Sequence, residues 1–302
     1  PDIEETTKRP PFYSLVLAGA YCLFGEDEVV GLLISNLFLW LTIIVVYLIG
    51  RKLSPVVGLI AALLFVMDPI GVINANKNQA GTLYGLLIAL FFLVSIQTFT
   101  PTVTLRRTLA SSLLLGLATL TRVSSLYLGF PLALAFFAVH RWVIRRFSLS
   151  RIMVLTLALF SVQALIVGGW MVRNNSVSGN FDFATMSSIH LYNYYVPLVI
   201  AKKEGIGYKE ARVNLADELQ SDPEYLAIDS GPDRQSYIIS KSVRLILKNP
   251  VQASLVLLEQ APLVFLNYPQ NAASLFLSDE RRESLGTYLS DYVGNKSSRL
   301  DI

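Results

Sequence analysis

Cysteine is all but missing: Cys22 stands alone in 302 residues, which excludes an internal disulfide and any Cys-based zinc site. A lone buried-type Cys reads first as an apolar filler. Charge is scarce as well, at 16% Asp, Glu, Lys and Arg against roughly 25% in soluble domains. The two histidines, His140 and His190, fall on opposite sides of the topology derived below and offer no pair for a metal. No internal repeat and no low-complexity segment is present. The chain opens at Pro1 with neither Met nor a signal-like stretch, and further residues are expected upstream of it.

What is present in excess is apolar length. Hydrophobic residues make up 53% and the mean hydropathy is +0.51. Gly31 to Gly50 holds thirteen Leu, Ile, Val or Phe and no charge. Each contributes about −0.3 to −0.6 kcal/mol to bilayer insertion, and the stretch is long enough to cross roughly 30 Å of hydrocarbon. Arg51 and Lys52 follow at once, and basic residues beside a span stay cytoplasmic. The expected fold class is therefore all-α, a polytopic transmembrane helical bundle with an extracytoplasmic loop domain.

The other segments follow from the same rule. Pro10 and Pro11 break the chain before Phe12, and Phe12 to Phe24 is a short apolar helix ended by Gly25 and Glu26 to Glu28. Leu53 to Met67 returns outward, Asp68 to Lys77 forms an outer loop, and Leu83 to Val94 is the centre of a span stopping at Arg106 and Arg107. Thr108 to Thr121 and Val123 to Val139 are separated by Arg122 at an outer turn. The most basic loop, Arg141 to Arg151, falls in the cytoplasm, and Ile152 to Met171 leads outward to Trp170 at interfacial depth. The expected domains are a membrane core over 1–173, an extracytoplasmic segment over 174–249 with helical spacing at Lys209 to Leu219 and Arg234 to Leu247, a further membrane segment over 250–277 kinked by Pro262 and Pro269, and a polar tail over 278–302. The net charge of +3 lies in short loops and reports topology, so nucleic acid is not an expected partner.

Lys8, Arg9, Lys77, Arg122 and Arg173 fall on the outer side, against the charge bias. Arg offers a planar fork that grips two phosphate oxygens at once, so the set favours an anion arriving from the bilayer. Snorkelling to headgroups, or pairing with Asp68, Asp182 or the acids of the first segment, is the alternative. Tyr192, Tyr194 and Tyr195 can stack on a sugar or anchor at the interface. Glu259, in an apolar run, is a further candidate. No ligand set for a divalent metal is legible, although metal use stays open. Asn174 and Asn295 lie in sequons.

Two patches carry a resemblance. KRPPFY (Lys8 to Tyr13) runs into SLVLAGAYCLFGEDE and the long span ending GRK. WMVRNNSVSG (Trp170 to Gly179) is followed by HLYNYY from His190. With the Leu113 to Leu134 hairpin between them, their order resembles the integral-membrane GT-C glycosyltransferases, closest to the aminoarabinose-transferase and protein O-mannosyltransferase-like branch. The resemblance implies transfer of a sugar from a polyprenyl-phosphate-linked donor to a lipid, glycan or protein acceptor on the extracytoplasmic face, in a plasma membrane, by displacement at the anomeric carbon. It implies that Arg9, before the paired prolines, contacts donor phosphate, with Arg122 and Arg173 where further outer-face cations are expected; Lys8, Tyr13, Lys77 and Tyr192 stand beside them as candidate substrate-binding residues. The family's general base follows a first span that this sequence does not show, so Asp2, Glu4 and Glu5 are not assigned that role. Gly81 stands where a second acid is expected. A transporter or lipid flippase, and a non-catalytic scaffold of the same fold, are the competing readings.

Overall fold

The computed structural model describes residues 9–179, 181–184, 191–229 and 231–260. Lys8, Asp2, Glu4, Glu5, His190 and everything from 261 onward, Asn295 included, lie outside them. The described residues are helical and contain no strand. Those up to Asn193 together with Glu218–Lys241 form one compact unit, and Tyr194–Asp217 with the residues from Ser242 onward form another.

In the first unit, α1 (Phe12–Phe24) begins behind the two prolines and ends at Gly25, whose φ of 93° suits a residue without a Cβ. The only cysteine of the chain, Cys22, is exposed near its end. Helix α2 (Glu28–Arg51) is capped by Asp27, which accepts the Val29 N–H, with Glu28 in its first turn and Arg51 in its last. Both charges complement the helix dipole. Ser54 caps α3 (Pro55–Val66) and Pro55 occupies its first position. The expected outer loop from Asp68 instead contains a short helix, α4 (Pro69–Ala75), where Asp68 Oδ2 accepts the Gly71 N–H at 3.2 Å. The bundle continues with α5 (Gly81–Thr98), α6 (Leu105–Thr121), a 3-10 turn (Val123–Ser125), α7 (Gly129–Ala138), a π-turn (Val139–Ile144) and α8 (Leu149–Ser178).

Helix α8 runs past its expected end. No Gly or Pro intervenes after Met171 until Gly179, whose φ of 77° stops the helix with its N–H on Asn175 O. Its 30 residues extend about 45 Å at 1.5 Å each, so the turns around Arg173 project beyond a hydrocarbon core of about 30 Å.

Four helical stretches are long and apolar enough to cross a membrane among the described residues: Glu28–Arg51, Gly81–Thr98, Val123–Ile144 and Leu149–Ser178. The outward faces carry exposed Leu33, Leu37, Trp40 and Ile44 on α2 and Met153, Val154 and Leu157 on α8, as lipid contact requires. Helix α6 differs. Its buried positions are Thr108, Ser111, Ser112, Leu115, Gly116, Ala118, Thr119 and Thr121, all but Leu115 small residues that let neighbours approach closely where no hydrophobic force separates protein from lipid. Its hydroxyls are largely returned to its own backbone: Thr119 donates to Leu115 O and Thr121 to Leu117 O, each at 2.8 Å.

Packing fixes the helix directions. Gly50 and Gly58 put the end of α2 against the start of α3, so these two are antiparallel. Val45 packs on Leu86 and Ala89, with Phe38 and Ile49 beside them, so α2 and α5 run parallel. Ala118 meets Leu83 and Leu87, which makes α5 and α6 antiparallel. Gln163 N donates to Ser112 Oγ at 3.0 Å, and Ile166 lies against Gly116, so α6 and α8 are parallel. Phe136 packs on Leu155 and Leu159, bringing α7 back antiparallel to α8.

His140 sits in the π-turn rather than in an open loop. It is fully buried, stacked near Phe136 and Phe147, and its Nε2 is 2.9 Å from Thr98 O. It thereby satisfies a carbonyl at the end of α5 that the helix cannot.

The second unit contains α9 (Val196–Glu204) and parts of α10 (Tyr208–Gln220) and α12 (Gly231–Lys248), α11 (Pro223–Leu226) belonging to the first. Val199 packs on Ala253 and Val256, and Tyr195 Oη donates to Ala253 O at 2.8 Å. Glu259 is ion-paired with Lys202 at the surface.

Candidate functional site

The alternation of helices sorts charge between the two ends of the bundle. One end carries Arg51, Lys52, Arg106, Arg107, Arg141, Arg145, Arg146 and Arg151 and no acid, the charge pattern expected of a cytoplasmic end. The other end carries the Glu26 to Glu28 turn, Asp68, Lys77, Arg122, Arg173 and Asp182. Between Asp68 and Asp182 the sequence contains no Asp or Glu, so cations placed there by helix direction have no acid nearby in the chain. Ion pairs among the described residues are Lys202–Glu259, Lys203–Glu204, Lys241–Glu218 and Lys241–Asp222. Lys77 and Arg122 take part in none of them.

Arg122 ends α6 in an extended conformation, φ −151° and ψ 132°, with its N–H on Ala118 O. The side chain is exposed, and its guanidinium carbon lies 5.9 Å from the centre of the Tyr84 ring. The Tyr84 hydroxyl accepts from Ser125 Oγ at 3.1 Å. Tyr84 also packs against the cluster of Tyr13, Leu83, Leu87 and Ala118, and Tyr13 Oη is 3.5 Å from Ser35 Oγ. Tyr13 and Arg122 are thus brought together around Tyr84. Arg9 is exposed one turn before Tyr13, ahead of the paired prolines. Lys77 is exposed in the turn after α4, next to Asn78, whose amide lies against Gly31 in the first turn of α2.

Arg173 belongs to a separate knot on α8. Its guanidinium lies over the Trp170 ring at 4.7 Å and donates to Asn174 Oδ1 at 3.1 Å. Asn174 Nδ2 donates to Asp182 O at 2.8 Å and Phe183 O at 3.2 Å, and Trp170 Nε1 donates to Phe183 O at 3.0 Å. The chain is folded back after Gly179 by these bonds. They also occupy the nitrogen of the Asn174 sequon, which is 1% exposed, so that asparagine is a structural residue.

Tyr192 is buried and falls in a third group with Lys241, Glu218, Asp222 and Tyr237. Lys241 Nζ donates to Asp222 Oδ2 at 2.8 Å and pairs with Glu218 at 3.0 Å, and Tyr237 Oη donates to the same Asp222 oxygen at 2.6 Å. Hydrogen bonds from Lys241 and then Tyr237 hold the Asp222 carboxyl down at about 2. Burial pulls the Lys241 ammonium down, but its bonds to Asp222 and Glu218 outweigh that and raise it. Burial pushes the Tyr192 phenol up to about 12.

The signs give a pH window. A lowered carboxyl contributes stability above its unfolded value of about 4, lost as pH falls toward 2. A raised phenol and a raised ammonium contribute stability below their unfolded values of about 10, lost as pH climbs toward 12. The thermal midpoint is expected to hold between those limits and fall outside both. In an ultraviolet titration the Tyr192→Phe variant is expected to lose a tyrosine that ionises at about 12. An unchanged titration would remove Tyr192 from the cluster.

Among the described residues no group of three His, Cys, Asp or Glu converges to hold a metal. Sequence reading missed Tyr84 and Ser125, which are uncharged and meet only across 41 residues of chain; Asn174, singled out as a sequon, serves instead to hold the Asp182 and Phe183 carbonyls.

A family model described as dolichyl-phosphate-mannose-protein mannosyltransferase matches residues 8–166. No curated protein and no solved structure matches the chain. The matched stretch runs from Lys8 into α8 and includes Arg9, Tyr13, Lys77 and Arg122, while Arg173 and Tyr192 lie beyond it.

Proposed function

Because the chain belongs to the dolichyl-phosphate-mannose-protein mannosyltransferase family, an integral-membrane glycosyltransferase family, we propose that it moves a sugar from a polyprenyl-phosphate donor to an acceptor at the extracytoplasmic end of its bundle. The observation that carries this reading is Arg122, a cation in no ion pair among the described residues, held at the mouth of the spans beside Tyr84 and Tyr13. A prenyl chain lying in lipid would bring its phosphate to that depth. Arg9, Lys77 and Arg173, with Lys8, are proposed to share the anionic charge, and Tyr192, buried in the Lys241 group, to act as a support rather than a sugar contact. In a displacement at the anomeric carbon the phosphate leaves with the bonding electrons, and cationic donors stabilise the charge that develops on it.

The base that takes the acceptor's proton is not assigned. Two of the carboxylates at this end are already engaged, Asp27 capping α2 and Asp68 capping α4. The segment 174–249 is proposed to be extracytoplasmic, and the membrane to be the plasma membrane.

The full chain in lipid nanodiscs, given dolichyl phosphate carrying radiolabelled mannose together with a membrane extract as acceptor, is expected to move label out of the donor and release dolichyl phosphate. Tight donor binding without release would return the scaffold reading. Absence of binding by this donor and by its undecaprenyl counterpart would sink the proposal.

A further inference from the structure

The side-chain amide of Gln163 lies at the middle of α8 with 1% exposure, where an apolar bundle offers it no solvent. Nε2 donates to Thr119 Oγ1 at 3.1 Å and to the Ser125 carbonyl at 3.1 Å, with the Leu126 carbonyl at 3.5 Å. The opposite amide orientation would set Oε1 against carbonyl oxygens, so electrostatics selects this one. Oε1 has no hydrogen-bond partner among the described residues. It faces Gly129, where even a Cβ would overlap it. A buried amide with one half unsatisfied is a cost that packing alone does not demand.

What that amide holds is the turn that presents Arg122. Thr119 is in the last turn of α6 and Ser125 ends the 3-10 turn, so Arg122 lies between the two points that Gln163 ties down. Ser125 passes the restraint to Tyr84 through its hydroxyl, and the Tyr84 ring lies beside the Arg122 guanidinium. The turn holds neither Gly nor Pro between Thr121 and Leu128, so its own backbone bonds are the only local restraint the Gln163 amide adds to. We propose that Gln163 is a positioning residue for the phosphate grip of Arg122. It acts through the 122–126 turn without touching the ligand, and Gly129 is kept bare to leave the amide its place. This rests on the reading of Arg122 as a phosphate contact.

The test uses the full chain in nanodiscs with dolichyl phosphate as the probe and dolichol as the phosphate-free control. Gln163→Leu keeps the volume and removes both donors. Its Kd for dolichyl phosphate is expected to rise about tenfold, the effect of one lost interhelical polar contact, with dolichol binding unchanged. Gly129→Ala, which displaces the amide from the other side, is expected to act in the same direction and serves where the first variant does not fold. In an Arg122→Ala background Gln163→Leu is expected to add nothing, since both remove one interaction. Losses that add in the double variant, equal losses for dolichol, or wild-type affinity in Gln163→Leu would overturn the positioning role while leaving Arg122 in place. Wild-type affinity in Arg122→Ala itself would remove the contact and this inference together.

Discussion

Replacing Gly58 with leucine is expected to part α3 from α2 and cost about 3 kcal/mol, the upper part of the range for overpacking. A Cβ at Gly58 would fall 2.7 Å from Tyr47 O and 2.8 Å from Arg51 N, and one at Gly50 would fall 2.8 Å from Gly58 Cα. These are backbone atoms of two helices, and no change of rotamer relieves them. In lipid the association of helices depends on such close approach. The 12 residues of α3 extend only about 18 Å, so it cannot span alone and is held by its neighbour. Size-exclusion profiles and melting of the detergent-solubilised protein measure this: Gly58→Leu should lose the monodisperse peak. Gly168→Ala, where a Cβ meets nothing within 4 Å, should keep it. A monodisperse Gly58→Leu with the wild-type midpoint would contradict the packing described for this seam.

Arg173→Ala is expected to lower sugar transfer about a hundredfold, the usual effect of removing one donor to a developing oxyanion, with insertion and the size-exclusion profile unchanged. Arg173→Lys should recover only part of that. Lysine keeps the charge but loses the planar fork and the stacking over Trp170. Arg9→Ala should fall in the same direction. The comparison with Asn174→Ala separates chemistry from architecture, because that variant frees the Asp182 carbonyl, leaves Phe183 O to Trp170 alone, and should appear first in the melting midpoint. Transfer at the wild-type rate in both arginine variants would exclude them from the donor site.

The sequence displays the bundle better than it displays the site, and the residues say why. Phe12–Phe24 and Glu28–Arg51 have their bounds written in Pro10, Pro11, Gly25, Asp27 and Arg51, because a helix end needs a cap, a breaker or a charge. The last turns of α8 were hidden, since Arg173 to Ser178 reads as loop by polarity while the true stop is the backbone of Gly179. Helix α4 is too short to show a period. Charge alone pointed to Arg122 and Lys77, and the separation of the two bundle ends agrees with that logic. Gln163 and Ser125 gave no signal: an uncharged amide in an apolar run acquires meaning only when a carbonyl tens of residues away is brought to it. The joining of Tyr192 to Lys241, and of Lys202 to Glu259, is of the same kind.

The solitary exposed sulfur on α1 has a practical consequence. A membrane-impermeant maleimide added to oriented vesicles of the purified 302-residue chain has one attachment point, Cys22, with no second thiol in these residues to confuse the readout. A dye placed at Cys22 would report which compartment that helix addresses and how its surroundings change as a long-chain lipid approaches, without engineering a cysteine-free background first.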